Sequence, residues 1–202
     1  DKFAGHAIKP LRINIKNDGG KGLQGECVIS EYGIEGSLIY ALSRSMRESI
    51  NQLGQATIYL DLLPDHSVER LSIMLSKPRN GRSLSDVLRR LFGLSAVKVS
   101  LIYELCERAQ LTHPDYLIRC LKQLPLTLKS ARPIAEAIST AGGVSLTQLD
   151  AYLMLKDKPG IFIAGEMLDW EAPTGGYLLS ASMASGRMAG LGAVRWLQNG
   201  GL

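Results

Sequence analysis

Glycine is distributed so unevenly along this chain that its placement constrains the fold more than any other feature. None occurs from Leu94 through Ala141, and eleven of the 21 fall between Gly142 and Gly201. A collagen-like or low-complexity chain would spread its glycines evenly. The pattern predicts a helical block, then a segment whose backbone must approach something closely. With 202 residues the chain has room for a buried core and one or two domains.

Charge follows the same division. Residues 1–141 hold 19 basic and 14 acidic side chains, and residues 142–202 hold 4 and 5. The pI near 9.0 therefore belongs to the first part. The densest basic stretch is Lys77, Arg79, Arg82, Arg89 and Arg90. A solvated loop-and-helix face is the plain reading of such a run. No aromatic residues interleave it as a single-strand binding platform requires.

Cys27, Cys106 and Cys120 contain no CxxC pair, and His6, His66 and His113 stand far from them in sequence. No zinc or haem spacing is present. Buried free thiols in a reducing cytoplasm are expected. No basic-then-apolar leader opens the chain and no apolar run is long enough to cross a bilayer. The first residue is Asp1, and the chain is expected to be a piece of a longer protein.

Residues 7–16 alternate, with Leu11, Ile13 and Ile15 on one face, which predicts a half-buried strand. A turn-rich stretch, Asn17 to Gly22, leads to a second strand around Glu26–Ser30, antiparallel to the first. Gly20-Lys21-Gly22-Leu23-Gln24-Gly25 fits G-x-G-x-x-G to the letter. A dinucleotide site needs a helix immediately after that motif, whereas β-branched Val28 and Ile29 follow, so a hairpin loop is the better reading. From Gly36 the period becomes helical through Leu38, Ile39, Leu42, Met46 and Ile50, ending near Gly54. Residues 55–62 return to strand. Helices are expected over 67–75, after the Ser83-x-x-Asp86 capping box, over 96–109, and after Thr112-x-x-Asp115. Beyond Pro125, strands are expected at 126–128, 137–144, 149–155 and 160–165. The last of these is a continuous apolar run of the kind buried on both faces of a parallel sheet. A long helix from Gly175 to about Gln198 closes the chain, stopped by Asn199-Gly200-Gly201.

Residues 160–190 carry the chemistry. Gly165 gives the strand end no side chain, so a ligand can lie against backbone. Glu166 follows at the carboxyl end of the strand, where α/β folds bind ligands. An ionised carboxylate only accepts hydrogen bonds, which suits ribose or ribityl hydroxyls. Gly175 and Gly176 offer bare N–H groups at a helix start, where the dipole favours anionic oxygen. The helix is rich in small residues, including Ser180, Ala181, Ser182, Ala184, Ser185, Gly186, Ala189 and Gly190, and so can lie close to a sheet or a flat cofactor. Taken alone, Thr174-Gly175-Gly176 also reads as a simple turn.

The ordered set Ala141-Gly142-Gly143-Val144, Pro159-Gly160-Ile161-Phe162-Ile163-Ala164-Gly165-Glu166-Met167-Leu168-Asp169-Trp170, Thr174-Gly175-Gly176-Tyr177 and Ser185-Gly186-Arg187-Met188-Ala189-Gly190 resembles the C-terminal part of the HI0933-like (BaiN/YhiN-type) flavoproteins. Tyr32-Gly33-Ile34-Glu35-Gly36-Ser37 resembles that family's Gly-x-Ser-Gly-Pro turn, with Glu35 and Ser37 in place of Ser and Pro. The resemblance is strong over 137–190 and loose before it. It implies an α+β fold: a β-rich and helical insertion domain, then the C-terminal segment of a two-dinucleotide-binding, Rossmann-like FAD domain. The insertion would cover 1–130, β-rich to about 66 and helical over 67–124. Residues 131–202 would complete the FAD domain, with the N-terminal Rossmann half lying outside this chain.

By the same resemblance, Glu166 would bind ribityl hydroxyls of FAD, and Thr174, Gly175, Gly176, Tyr177 and Leu178 would face the pyrimidine edge of the flavin. Gly142 and Gly143 would lie near the isoalloxazine, and Asp169 would hold the loop or reach the cofactor. The parent protein would be an FAD-dependent oxidoreductase with an unassigned small-molecule substrate and NAD(P)H as a candidate electron donor. This chain alone would be inactive and bind FAD weakly. Two alternatives stand beside this: a non-enzymatic module binding RNA through Lys77–Arg90, or a basic patch that steers an anionic substrate or nicotinamide cofactor.

Overall fold

The computed structural model describes residues 2–15, 22–76, 81–172 and 176–200. The fold is α+β, in two compact units, Asp1–Ala131 and Arg132–Leu202.

The first unit is built on an antiparallel sheet of five strands in the order β3-β2-β1-β4-β5. β1 (Ala7–Ile15) and β2 (Leu23–Ile29) pair as their alternation predicts, and β3 (Ile34–Glu35) adds a short edge. The register between β1 and β2 shifts between Ile8 and Leu11, where Pro10 has no N–H to give to the ladder. β4 (Ala56–Asp61) lies on the other side of β1, with Ile13 opposite Leu60 and Ile15 opposite Ile58. All four side chains are buried, so this pairing sets one apolar face. α1 (Ser37–Leu53) lays Leu38, Ile39, Leu42 and Met46 into the same core. It stops at Gly54, whose left-handed φ of 76° lets its N–H reach the Ile50 carbonyl at 2.8 Å.

Helices then run as a block between β4 and β5 (Leu124–Leu128), which are themselves neighbours in the sheet. The block contains α2 (Val68–Leu75), α3 (Leu84–Phe92), α4 (Ala96–Leu105) and α5 (Pro114–Lys122). Leu71, Leu88, Ile102, Leu117 and Leu121 pack its centre at 2% exposure or less. Each is worth roughly 1.5–3 kcal/mol of burial. Ser83 forms the expected cap: its hydroxyl accepts the Asp86 N–H at 3.2 Å and donates to Asp86 Oδ2 at 2.8 Å. The cap expected at Thr112 is different. Thr112 ends a 3-10 turn that begins at Arg108, and α5 starts from His113 with Pro114 in its first turn. Proline's fixed φ suits the first helical turn, and its missing N–H removes one donor that a cap would otherwise have to meet.

Where the block meets the sheet, charge is buried. Asp61 Oδ2 pairs with Lys122 Nζ at 2.6 Å, and its Oδ1 accepts the Leu63 N–H at 3.0 Å. Lys122 also donates to the carbonyls of Leu63 (2.9 Å) and His66 (2.7 Å). Lys98, only 3% exposed, donates to the carbonyls of Pro10 (2.5 Å) and Leu62 (2.7 Å). Two lysines from two helices therefore grip the segment leaving β4.

Burial pushes the Lys98 ammonium down to about 8, against the pull of Asp61, Asp65 and Cys27 in the other direction. An unfolded lysine holds its proton to roughly 10.4. Between these values the unfolded chain binds more protons, so this group makes stability rise with pH. The melting temperature of the wild type relative to Lys98→Met should climb from about pH 8 to about pH 10. A difference that stays flat over that range would contradict the assignment.

The second unit departs from its expected strands. Residues 137–144, 149–155 and 160–165 contain no strand. They make isolated bridges: Val144 with Leu168 (parallel), Leu149 with Leu155, and Met154 with Phe162. Asp150 explains the middle segment. Its Oδ1 accepts the N–H groups of Tyr152 (2.8 Å) and Met154 (2.9 Å), which bends the chain into a turn. The run 160–165 bridges Met154 alone, and Ile161 is 47% exposed, so it is not sandwiched in a sheet here. Positive φ at Gly142 and Gly143 breaks the extended path of 137–144. A small core remains, with Leu149, Ile163 and Leu168 packed by Val144, Leu153, Leu155 and Trp170.

α6 (Gly176–Gln198) is long, as predicted, and Gly200 ends it with a φ of 77°. It docks on the turns of its own unit through Gly192, whereas Gly186 and Gly190 face open space. A Cβ at Gly192 would lie 2.7 Å from Tyr152 Cβ and 2.8 Å from Phe162 Cε1. Among the described residues no helix is long and apolar enough to cross a membrane.

Candidate functional site

The second unit brings together several of the expected residues. Gly143 lies flat against residues 167–168: a Cβ there would sit 2.5 Å from the Met167 carbonyl oxygen. Val144 receives and returns the contact. Its N–H donates to Met167 O at 2.8 Å, and its carbonyl accepts the Asp169 N–H at 2.9 Å. This short parallel ladder seats Gly143 and Val144 against Met167, Leu168 and Asp169.

Gly165 opens a 3-10 turn, Gly165–Met167, with a φ of 68° that favours glycine. Three groups hold the turn. Its N–H donates to Ser185 Oγ at 3.0 Å, and that hydroxyl donates onward to the Ser182 carbonyl at 2.9 Å. Trp170 Nε1 donates to the Gly165 carbonyl at 3.4 Å. Ser182 and Ser185 read in the sequence only as small residues allowing close approach. Only Ser185 has a side-chain task, its hydroxyl bridging the Gly165 N–H and the Ser182 backbone carbonyl.

Glu166 does not stand at the end of a sheet strand as expected. It lies in the 3-10 turn, with its carboxylate exposed to solvent, and Asp169 is exposed two residues beyond the turn. Both remain acceptor-only groups open to a hydroxylated ligand. Gly142, with φ 93° and nothing within 4 Å of its would-be Cβ, presents bare backbone to open space. Gly176 begins α6, Tyr177 is 85% exposed, and Leu178 is half-buried. Thr174 and Gly175 lie outside the described residues. The unit thus offers bare backbone at Gly142, exposed carboxylates at Glu166 and Asp169, and a helix that holds the Gly165 turn.

The false nucleotide motif resolves differently. Leu23, Gln24 and Gly25 already belong to β2, so a strand stands where a dinucleotide site needs a helix, and Gly20 and Lys21 lie outside the described residues. In the basic stretch, Arg89 and Arg90 occupy the last turn of α3, where cations offset the negative end of the helix dipole. Arg82 is exposed, and Lys77 and Arg79 lie outside the described residues. Among the described residues no three His, Cys, Asp or Glu side chains gather to hold a metal.

Comparison with known proteins bears on both units. Residues 1–139 match the HI0933-like protein barrel and H2TH domain. The chain belongs to the HI0933-like family. The five-stranded sheet and the helical block of the first unit agree with that description. The HI0933-like chain is also 26% identical over 182 residues to the 3-dehydro-bile acid delta(4,6)-reductase of Clostridium scindens. That match covers 84% of this chain and 44% of the reductase, so the chain spans less than half the length of that relative. Together these matches support a family of flavoprotein oxidoreductases.

Proposed function

We propose that this chain is the insertion and C-terminal portion of an FAD-dependent oxidoreductase, and that residues 132–202 form one wall of its flavin site. The observation that carries this is α6. It meets its own unit along one face, through Ser182, Ser185, Gly192, Arg195 and Trp196, and a run of apolar side chains lies off that face. Tyr177, Leu179, Met183, Leu191 and Leu197 stay exposed. A helix of this kind belongs inside a larger body. The 44% coverage of the reductase is consistent with further chain to supply that body.

In this reading FAD, when bound, supplies the hydride or electron transfer. The chain's residues bind and orient it. Glu166 accepts hydrogen bonds from the ribityl hydroxyls, and Asp169 fixes the loop or reaches the cofactor. Gly142 and Gly143 let the isoalloxazine lie against backbone. The helix start, described from Gly176, would direct N–H groups at the pyrimidine edge, where they would stabilise negative charge on a reduced ring, and Thr174 and Gly175 would belong to the same edge by the resemblance. The bare ledge at Gly142 and the two exposed carboxylates fit such a ligand. NAD(P)H is the electron donor we favour, with a small-molecule substrate, and the free thiols suit a reducing cytoplasm.

The test compares this chain with the same chain extended by its upstream coding sequence. The extended protein should carry stoichiometric flavin by absorbance, and the chain alone little or none. Tight stoichiometric FAD on the chain alone would overturn the shared-site reading. Absence of flavin from the extended protein would overturn the cofactor reading.

A further inference from the structure

The sheet of the first unit has free edges. The matched family description names a barrel, yet among the described residues the order β3-β2-β1-β4-β5 leaves β3 and β5 with one neighbour each. β3 is two residues long, whereas β5 is five.

The free side of β5 can be read residue by residue. In its antiparallel pairing with β4, Pro125 stands opposite Tyr59 and Thr127 opposite Thr57. A proline in an edge strand turns its missing N–H away from the ladder. Pro125 therefore faces its backbone polar group away from β4, and Thr127, two residues on, does the same. The threonines agree with this. Their hydroxyls lie 3.4 Å apart, and side chains come closest in the pairs that exchange no backbone hydrogen bonds. The free edge thus offers the Pro125 carbonyl and both the N–H and the carbonyl of Thr127.

Edges that stay bare are kept short, bulged or charged. β5 carries no charged side chain, and Pro125 blocks only one donor. Leu126 and Leu128 pack on the core from this edge and remain half-buried, so a strand alongside would cover what is left of them. β5 is also the strand by which the chain leaves the first unit, which ends at Ala131. On the reading that residues 132–202 and an upstream half build one FAD body, the polypeptide must enter the first unit from that body as well as return to it. Connections are short in folded domains, and a strand entering antiparallel beside the leaving one keeps both short. The reductase relative has more than half of its length outside the match, which is room for such a strand.

We propose that a strand from the polypeptide preceding Asp1 adds to the free edge of β5. It would donate to the carbonyls of Pro125 and Thr127 and accept the Thr127 N–H, with alternate apolar side chains beside Leu126 and Leu128. The proposal rests on the shared-site reading above and extends it: the first unit, as well as the flavin wall, is completed from upstream.

The experiment follows amide hydrogen exchange at single residues in this chain and in the chain extended by its upstream coding sequence. In this chain the Thr127 N–H should exchange faster than those of Leu126 and Leu128, which face β4. In the extended protein it should slow by about tenfold or more. A photoreactive variant of the extended protein, Thr127→p-benzoylphenylalanine, should cross-link to a peptide preceding Asp1. Unchanged exchange at Thr127 in an extended protein that carries flavin would overturn the added strand and leave the flavin reading standing. Protection of Thr127 in an extended protein without flavin would support the strand and sink the flavin reading. Slow exchange at Thr127 in this chain alone would overturn the proposal, as would cross-links to residues 132–202 or to a second copy. Because exchange is read on unsubstituted protein, a cross-linking variant that fails to fold leaves the test intact.

Discussion

Lys122→Met is expected to destabilise the first unit by about 3 kcal/mol, more than most surface lysines could. The lysine is mostly buried, and its ammonium satisfies three groups: the Asp61 carboxylate and the carbonyls of Leu63 and His66. Removing it leaves an ionised Asp61 inside the protein with the Leu63 N–H and the more distant Lys98 as company. An uncompensated buried charge costs more than the pair ever contributed. A double variant, Asp61→Leu with Lys122→Met, should therefore recover part of the loss. The check is denaturant unfolding followed by far-UV circular dichroism. If the double variant is less stable than Lys122→Met alone, the charge-burial explanation fails.

Gly143→Ala should be the most damaging single methyl in the second unit. Its Cβ would meet the Met167 carbonyl oxygen at 2.5 Å and the Leu168 carbonyl carbon at 2.9 Å. Both atoms are backbone, so no rotamer change can relieve the clash, and the ladder between Val144 and residues 167–169 must part. We expect a loss of about 1–3 kcal/mol, typical of overpacking. Both tryptophans, Trp170 and Trp196, belong to this unit, so tryptophan fluorescence reports its unfolding. That transition should shift to lower denaturant. Gly142→Ala has open space beside it and should disturb packing less, its cost coming from φ 93°. Equal shifts for the two variants would count against the close-approach role of Gly143. In the extended protein, Gly143→Ala should also lower flavin content.

The first unit was legible in the sequence because its signals are local. The alternation of Leu11, Ile13 and Ile15 and the helical spacing from Leu38 to Ile50 each report one apolar face. Ser83 and Asp86 mark a helix start with side chains that touch each other. The buried clasp was not legible. Asp61, Lys98 and Lys122 carry no sequence pattern, and only the fold makes them neighbours. In the second unit, apolar runs at 149–155 and 160–165 read as strands, since periodicity does not register a side chain such as Asp150 competing for backbone N–H groups. The glycine pattern carried further. Gly143, Gly165 and Gly192 do mark close approaches or a left-handed turn, though the partners in contact are this unit's own backbone and side chains. The helix start expected to face the cofactor is described only from Gly176 onward.

The helical block leaves the sheet after Asp61 and returns at Leu124, the residue paired with Leu60. Topologically it is the loop of a single hairpin. Closing so long a loop through an unstructured chain would be entropically slow, whereas a folded block brings its two ends together in advance. The strand order thus implies an order of events in folding, with the block assembling first and β5 the last strand to join.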